Sequence, residues 1–80
     1  MNRNRKSEIR DTTQTLKRCI TMLENIRIDE ADYYENIPSN LEGSERAEES
    51  EYALDSLDTA LDNLSLGVEF LEEIVECEVI

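Results

Sequence analysis

Eighty residues allow one small domain at most, and a chain of this size buries only about 60% of its unfolded surface, so association commonly supplements its core. A formal charge of −12, from 20 acidic and 8 basic side chains, repels nucleic acid and anionic membrane and attracts basic partners. Two cysteines without CxxC spacing, and no histidine, leave no pattern for a metal centre or a nucleophilic triad.

The charge is lopsided. Residues 1–27 carry seven basic and three acidic side chains, residues 28–44 five acids and no base, and residues 45–80 twelve acids against one base, Arg46. Only the run Arg3, Arg5, Lys6, Arg10 is suited to touch phosphate. The basic N-terminus leads into no apolar segment of a secretory signal, and no apolar run approaches the roughly 18 residues of a membrane span. The expectation is a cytoplasmic protein with reduced thiols.

The first predicted element is a helix over about 7–35, with residues 1–6 as a basic tail. Ser7 is the expected N-cap, and Glu8 and Asp11 favour the positive end of the helix dipole. Ile9, Thr12, Leu16, Cys19, Leu23, Ile26 and Tyr33 alternate in steps of three and four, the a/d seam of a coiled coil, with Glu30 as its one break. Ile20 and Met22 widen that face, and Tyr34 and Ile37 carry it to the proline.

A turn over 36–44 follows. Pro38 cannot continue the helix and pushes Ile37 toward extended backbone. Asn36 is placed to cap a short turn, Leu41 to fold back as an apolar anchor, and Gly43 to take a positive φ. Ser44 then caps the next helix, whose first turns hold Glu45, Glu48 and Glu49. The functional alternative is an anion site. A helix start offers free N–H groups, Ser44 a hydroxyl and Arg46 a cation, but Glu42, Glu45, Glu48 and Glu49 oppose it.

The last element is a helix over about 45–78. Ala47, Ser50, Leu54, Leu57, Leu61, Leu64, Val68, Leu71 and Val75 again step by three and four. The fold class is therefore all-α: an antiparallel two-helix hairpin, coiled-coil-like. In one register the facing pairs Ile9–Leu71, Thr12–Val68, Leu16–Leu64, Cys19–Leu61, Leu23–Leu57, Ile26–Leu54 and Tyr33–Ala47 all have numbers summing to 80. A slip of one heptad would align the seams equally well. Cys19 then lies ~24 Å along the helix from Cys77. That is far beyond the roughly 7 Å a disulfide spans, so both cysteines are read as small apolar residues.

A lone hairpin cannot cover its own apolar side. Ala53, Ala60, Gly67 and Ile74 flank the second seam and would let another helix approach closely. Leu66, Phe70, Ile74 and Cys77 form a further stripe. The predicted oligomer interface is Ala60, Leu66, Gly67, Phe70 and Ile74, most simply in a dimer that makes a four-helix bundle.

The same helix carries an acidic ribbon: Glu48, Glu51, Asp55, Asp58, Asp62, Glu69, Glu72 and Glu76 at successive b and e positions, interrupted only by Ser65. Arg27 is within reach of Glu51, and Arg3, Arg5 and Lys6 of Glu72, Glu73 and Glu76. The ribbon either keeps a sticky helix soluble or binds a basic partner, in the extreme by imitating nucleic-acid phosphates. Its density, about one charge per 4 Å, is sparser than the one per ~1.7 Å of duplex DNA, and a dimer would double it. Di-iron bundles need inward acids and Glu-x-x-His, and EF-hands need a loop spacing absent from this chain. Neither an enzyme nor a cofactor is expected.

The turn motif N-x-P-x-x-L-x-G-S-E-R (Asn36, Pro38, Leu41, Gly43, Ser44, Glu45, Arg46), with the acidic stretch AEESEYALDSLDTALDNL after it, resembles short acidic helical proteins of phages and mobile elements of Gram-positive and gut bacteria. Such proteins have no established function. The likeness spans roughly residues 26–72. It implies a helical hairpin working in a bacterial host cell as a small inhibitor or sequestering protein. The leading expectation is a non-enzymatic oligomer whose ribbon binds a basic host protein. The alternatives are an oligomeric sponge holding a small anionic nucleotide near Ser44 and Arg46, or a purely structural bundle. Salt and mutation separate them, because ribbon binding weakens with ionic strength whereas nucleotide binding depends on Arg46.

Overall fold

Two uninterrupted runs of helix-compatible residues, parted by the only proline, give two long helices. The structure, a computed structural model, describes residues 1–41 and 43–77. Helix α1 spans Arg3–Glu35 and helix α2 spans Glu45–Glu76, with a short 3-10 turn at Ser39–Leu41 between them. They lie antiparallel in an all-α hairpin measuring 63 × 15 × 13 Å. The expected end of α2 near residue 78 falls outside the described residues.

The start of α1 differs from the sequence expectation. Asn2, not Ser7, is the N-cap, its Oδ1 accepting from Arg5 N at 2.8 Å, so the basic tail is the first helical turn. Basic residues at a helix start oppose that helix's own dipole. Here they sit beside the negative end of α2 instead, and Lys6 Nζ donates to the carbonyl of Cys77, the α2 C-cap. The expected contacts of Arg3, Arg5 and Lys6 with Glu72, Glu73 and Glu76 are replaced by this one and by a Lys17–Glu72 ion pair at 2.8 Å.

At the turn, Asn36 ends α1. Its N–H reaches the carbonyls of Asp32 and Tyr33 at 3.2 Å, and its Nδ2 donates to the Asp32 carbonyl at 2.7 Å. Leu41 N donates to Pro38 O at 2.8 Å, closing the 3-10 turn, and Gly43 takes φ +78°, a conformation that side-chain-bearing residues resist. Ser44 caps α2, its Oγ accepting from Ala47 N at 3.2 Å. Leu41 is not the apolar anchor: it is exposed, whereas Ile37 is half-buried.

The inter-helix seam of α2 follows its sequence pattern, from buried Ala47 and Ser50 through half-buried Leu54, Leu57, Leu61 and Leu64 to buried Val68. That of α1 is turned by part of a residue step. Ile9, Leu16, Leu23 and Glu30 face α2 as expected, but Thr13, Ile20, Arg27 and Tyr34 fill the alternate places, and Thr12, Cys19, Ile26 and Tyr33 are exposed. Cys19 is thus no seam residue, and both cysteines are free. Thr13 is tolerated at 3% exposure because its Oγ1 donates to the Ile9 carbonyl at 2.7 Å. Glu30 faces Ser50, a pair in the sum-80 register, while Arg27–Asp58 and Tyr34–Glu51 reach about one turn diagonally from it.

The core is thin. Ala47 and Val68 are the buried hydrophobic residues among those described, and no large side chain is fully enclosed.

Candidate interaction surfaces

The turned seam gives the hairpin two unlike sides. On one, α1 sets Lys17, Arg27 and Tyr34 against Glu72, Asp58 and Glu51 of α2. Arg27 Nε donates to Asp58 Oδ1 at 2.6 Å, with Nη2 reaching Oδ2 at 3.3 Å, and Tyr34 Oη donates to Glu51 Oε1 at 2.7 Å. Arg27 therefore meets Asp58 rather than the expected Glu51. On the other side, Thr12 shares a groove with Leu71, and Tyr33 shares one with Arg46 and Ala53. No cross-helix ion pair is found there among the described residues.

Contact with α1 divides the acidic ribbon into two lines. Glu51, Asp58 and Glu72 form an inner line bonded to α1. Glu48, Asp55, Asp62, Glu69 and Glu76 form an outer line repeating every seven residues, exposed and without an ion pair among the described residues. Its charges are ~10 Å apart at 1.5 Å per residue. Sequence periodicity found both lines but could not separate them, because the division depends on which α1 positions carry Lys17, Arg27 and Tyr34 to α2.

The Arg27–Asp58 pair perturbs both groups. The hydrogen bond from Arg27, seconded by its charge, holds the Asp58 carboxyl below its ordinary 3.8, and the same bond raises Arg27 above its usual value. A depressed carboxylate stabilises the fold fully above its unfolded-state value, and that contribution is lost as pH falls through the lower folded-state value. An NMR titration should place the Asp58 midpoint below 3.8, and Arg27→Gln should return it. A midpoint at or above 3.8 in the native chain would rule the pair out in solution.

At the turn, Ser44 Oγ is engaged by its own helix, while Arg46 lines a shallow groove with Glu30, Tyr33, Glu49, Ser50 and Ala53. The recess on the opposite face of the turn is edged by Glu35, Glu48 and Glu51 with Tyr34. An anion at either place would meet carboxylates where it needs donors.

Of the five residues expected at an oligomer interface, Ala60, Gly67, Phe70 and Ile74 share the apolar side of α2. Leu66 lies at its edge, one turn from Phe70 but two residues from both Leu64 and Val68, on the helix face turned away from α1. All five are exposed. No described helix is long and apolar enough to cross a membrane. Comparison with family models, curated proteins and solved structures finds no match for this chain.

Proposed function

We propose that this chain is a non-enzymatic interaction module, an oligomeric helical hairpin that binds a basic protein through the outer acidic line of α2. The supporting observation is the separation of the ribbon. Glu51, Asp58 and Glu72 are engaged with α1, whereas Glu48, Asp55, Asp62, Glu69 and Glu76 face water in a straight row with no internal counter-charge among the described residues. Each outer acid stands three or four residues from an inner one, as Glu48 from Glu51, Asp55 from Asp58 and Glu69 from Glu72, at a cost of a few tenths of a kcal/mol per pair. A basic partner would relieve that cost, and its binding would be salt-sensitive. The turn resemblance suggests a host protein of a phage or mobile element as the partner. At ~10 Å the row is too sparse to copy a phosphate backbone within one hairpin, so the reading is electrostatic docking rather than close mimicry.

The test compares capture of basic proteins from a bacterial lysate by three chains. Neutralising the outer line (Asp55→Asn, Asp62→Asn, Glu69→Gln) should abolish capture. Neutralising the inner line (Asp58→Asn, Glu72→Gln) should leave it within about threefold, and raised ionic strength should weaken it steeply. Capture that survives loss of the outer line at low salt would overturn the proposal. The nucleotide reading makes the opposite forecast, loss with Arg46→Ala alone.

A further inference from the structure

The apolar residues of α1 do not all face α2. Its inter-helix seam takes Thr13 and Arg27 beside Ile9, Leu16, Ile20 and Leu23, while apolar Met22 and Ile26 and the ring of Tyr33 stay 63%, 52% and 47% exposed. These three recur at helical spacing on the flank that also holds the Thr12–Leu71 and Tyr33–Ala53 grooves, the side without ion pairs among the described residues. On α2 the same side steps by three and four from Ala53 to Ile74 without one charged residue, in a helix otherwise dense in acid. Each helix therefore has two seams, one toward its hairpin partner and a second toward empty space. That is the pattern of a helix in a four-helix bundle rather than in a pair.

We infer that a second copy of this chain occupies that side, face to face, completing a four-helix bundle. Three further observations favour a copy over an unrelated occupant. The first is area. The chain exposes 6391 Å², whereas a compact monomer of 9.3 kDa exposes about 5000 Å², leaving an excess of about 1400 Å². A stable dimer interface takes about 800 Å² from each partner. The second is shape. The face is self-complementary, with bulky Met22, Ile26 and Tyr33 on α1 and small Ala60 and Gly67 on α2.

The third is Gly67 itself. A Cβ there would meet nothing within 4 Å in the hairpin, so nothing inside one chain requires a glycine in mid-helix. A glycine costs a helix about 1 kcal/mol relative to alanine, and close approach of a neighbouring helix accounts for it.

The inference is independent of the acidic-line proposal, since it is tested on the pure chain without any partner. Sedimentation equilibrium at micromolar concentration should give twice 9.3 kDa, with a thermal midpoint that rises with protein concentration. Phe70→Glu, on the second seam, should dissociate the dimer at least tenfold more readily. Leu66→Glu, equally exposed but on the back of α2, should leave it intact. If Phe70→Glu also unfolds the chain, the mass still falls, and the intact Leu66→Glu dimer shows that an added carboxylate alone is not the cause. A mass of 9.3 kDa at every concentration, a mass above twice that value, or a Phe70→Glu chain that remains dimeric would overturn the inference. Neutralising the outer line should leave the mass unchanged, so failure of the binding proposal and failure of this one are separable.

Discussion

Val68→Asp should strip this protein of a large share of its folding stability at room temperature. Val68 is 6% exposed on the inter-helix seam, one of two buried hydrophobic residues among those described. A carboxylate there loses its water, and Lys17, the α1 cation that reaches this stretch of α2, is already paired with Glu72 one turn on. An uncompensated buried charge costs about 3–5 kcal/mol. At roughly 0.05–0.15 kcal/mol per residue the whole chain has only about 4–12 kcal/mol to lose. Val68→Ala, which removes two methyl groups without adding charge, should cost about 2 kcal/mol. Circular dichroism with urea titration checks both. A Val68→Asp chain as stable as the native one would mean that the seam is misplaced.

The second large effect concerns a polar pair at the turn end of the seam, buried Ser50 and half-buried Glu30. Ser50 is 3% exposed, and its Oγ donates to Glu30 Oε2 at 2.8 Å. Replacing Glu30 by Leu alone takes away that acceptor, at a cost of about 1–3 kcal/mol. Replacing both, Glu30→Leu with Ser50→Ala, removes the demand as well and should restore or exceed native stability. The double variant should, however, lose register. Seams repeating every seven residues tolerate a slip of one heptad, and a single polar pair at a seam position penalises that slip. Spin labels at exposed Gln14 and Glu73, with Cys19 and Cys77 replaced by Ser and the labelled chain diluted in unlabelled copies, should give one distance in the native background and two populations in the double variant. A single distance in both would show that the turn alone sets the register.

Much of this was legible from the residues. Pro38, Gly43 and Ser44 specified where one helix stops and the next begins, because their backbone and capping requirements are local. The α2 seam was legible because its leucines stand among carboxylates, a contrast that leaves one phase. The α1 seam was less so. Thr12 and Thr13, Cys19 and Ile20, Ile26 and Arg27, and Tyr33 and Tyr34 offer adjacent choices of similar polarity or size, and hydrophobicity averaged over a helix points between two neighbours when both sides are apolar. The pairing of Arg27 with Asp58 rather than Glu51 follows from the same rotation.

The division of labour is physical. Local chemistry by itself determined the two helices, the turn, the acidic strip and the absence of alternating strand patterns, since each depends on residues a few positions apart. Only the tertiary structure decided which face of α1 meets α2, since packing two cylinders selects one rotation from several with nearly equal hydrophobic gain. That rotation splits the acids into an engaged line and a free one, and it leaves Met22, Ile26 and Tyr33 of α1 on the same side as Ala60, Gly67 and Ile74 of α2.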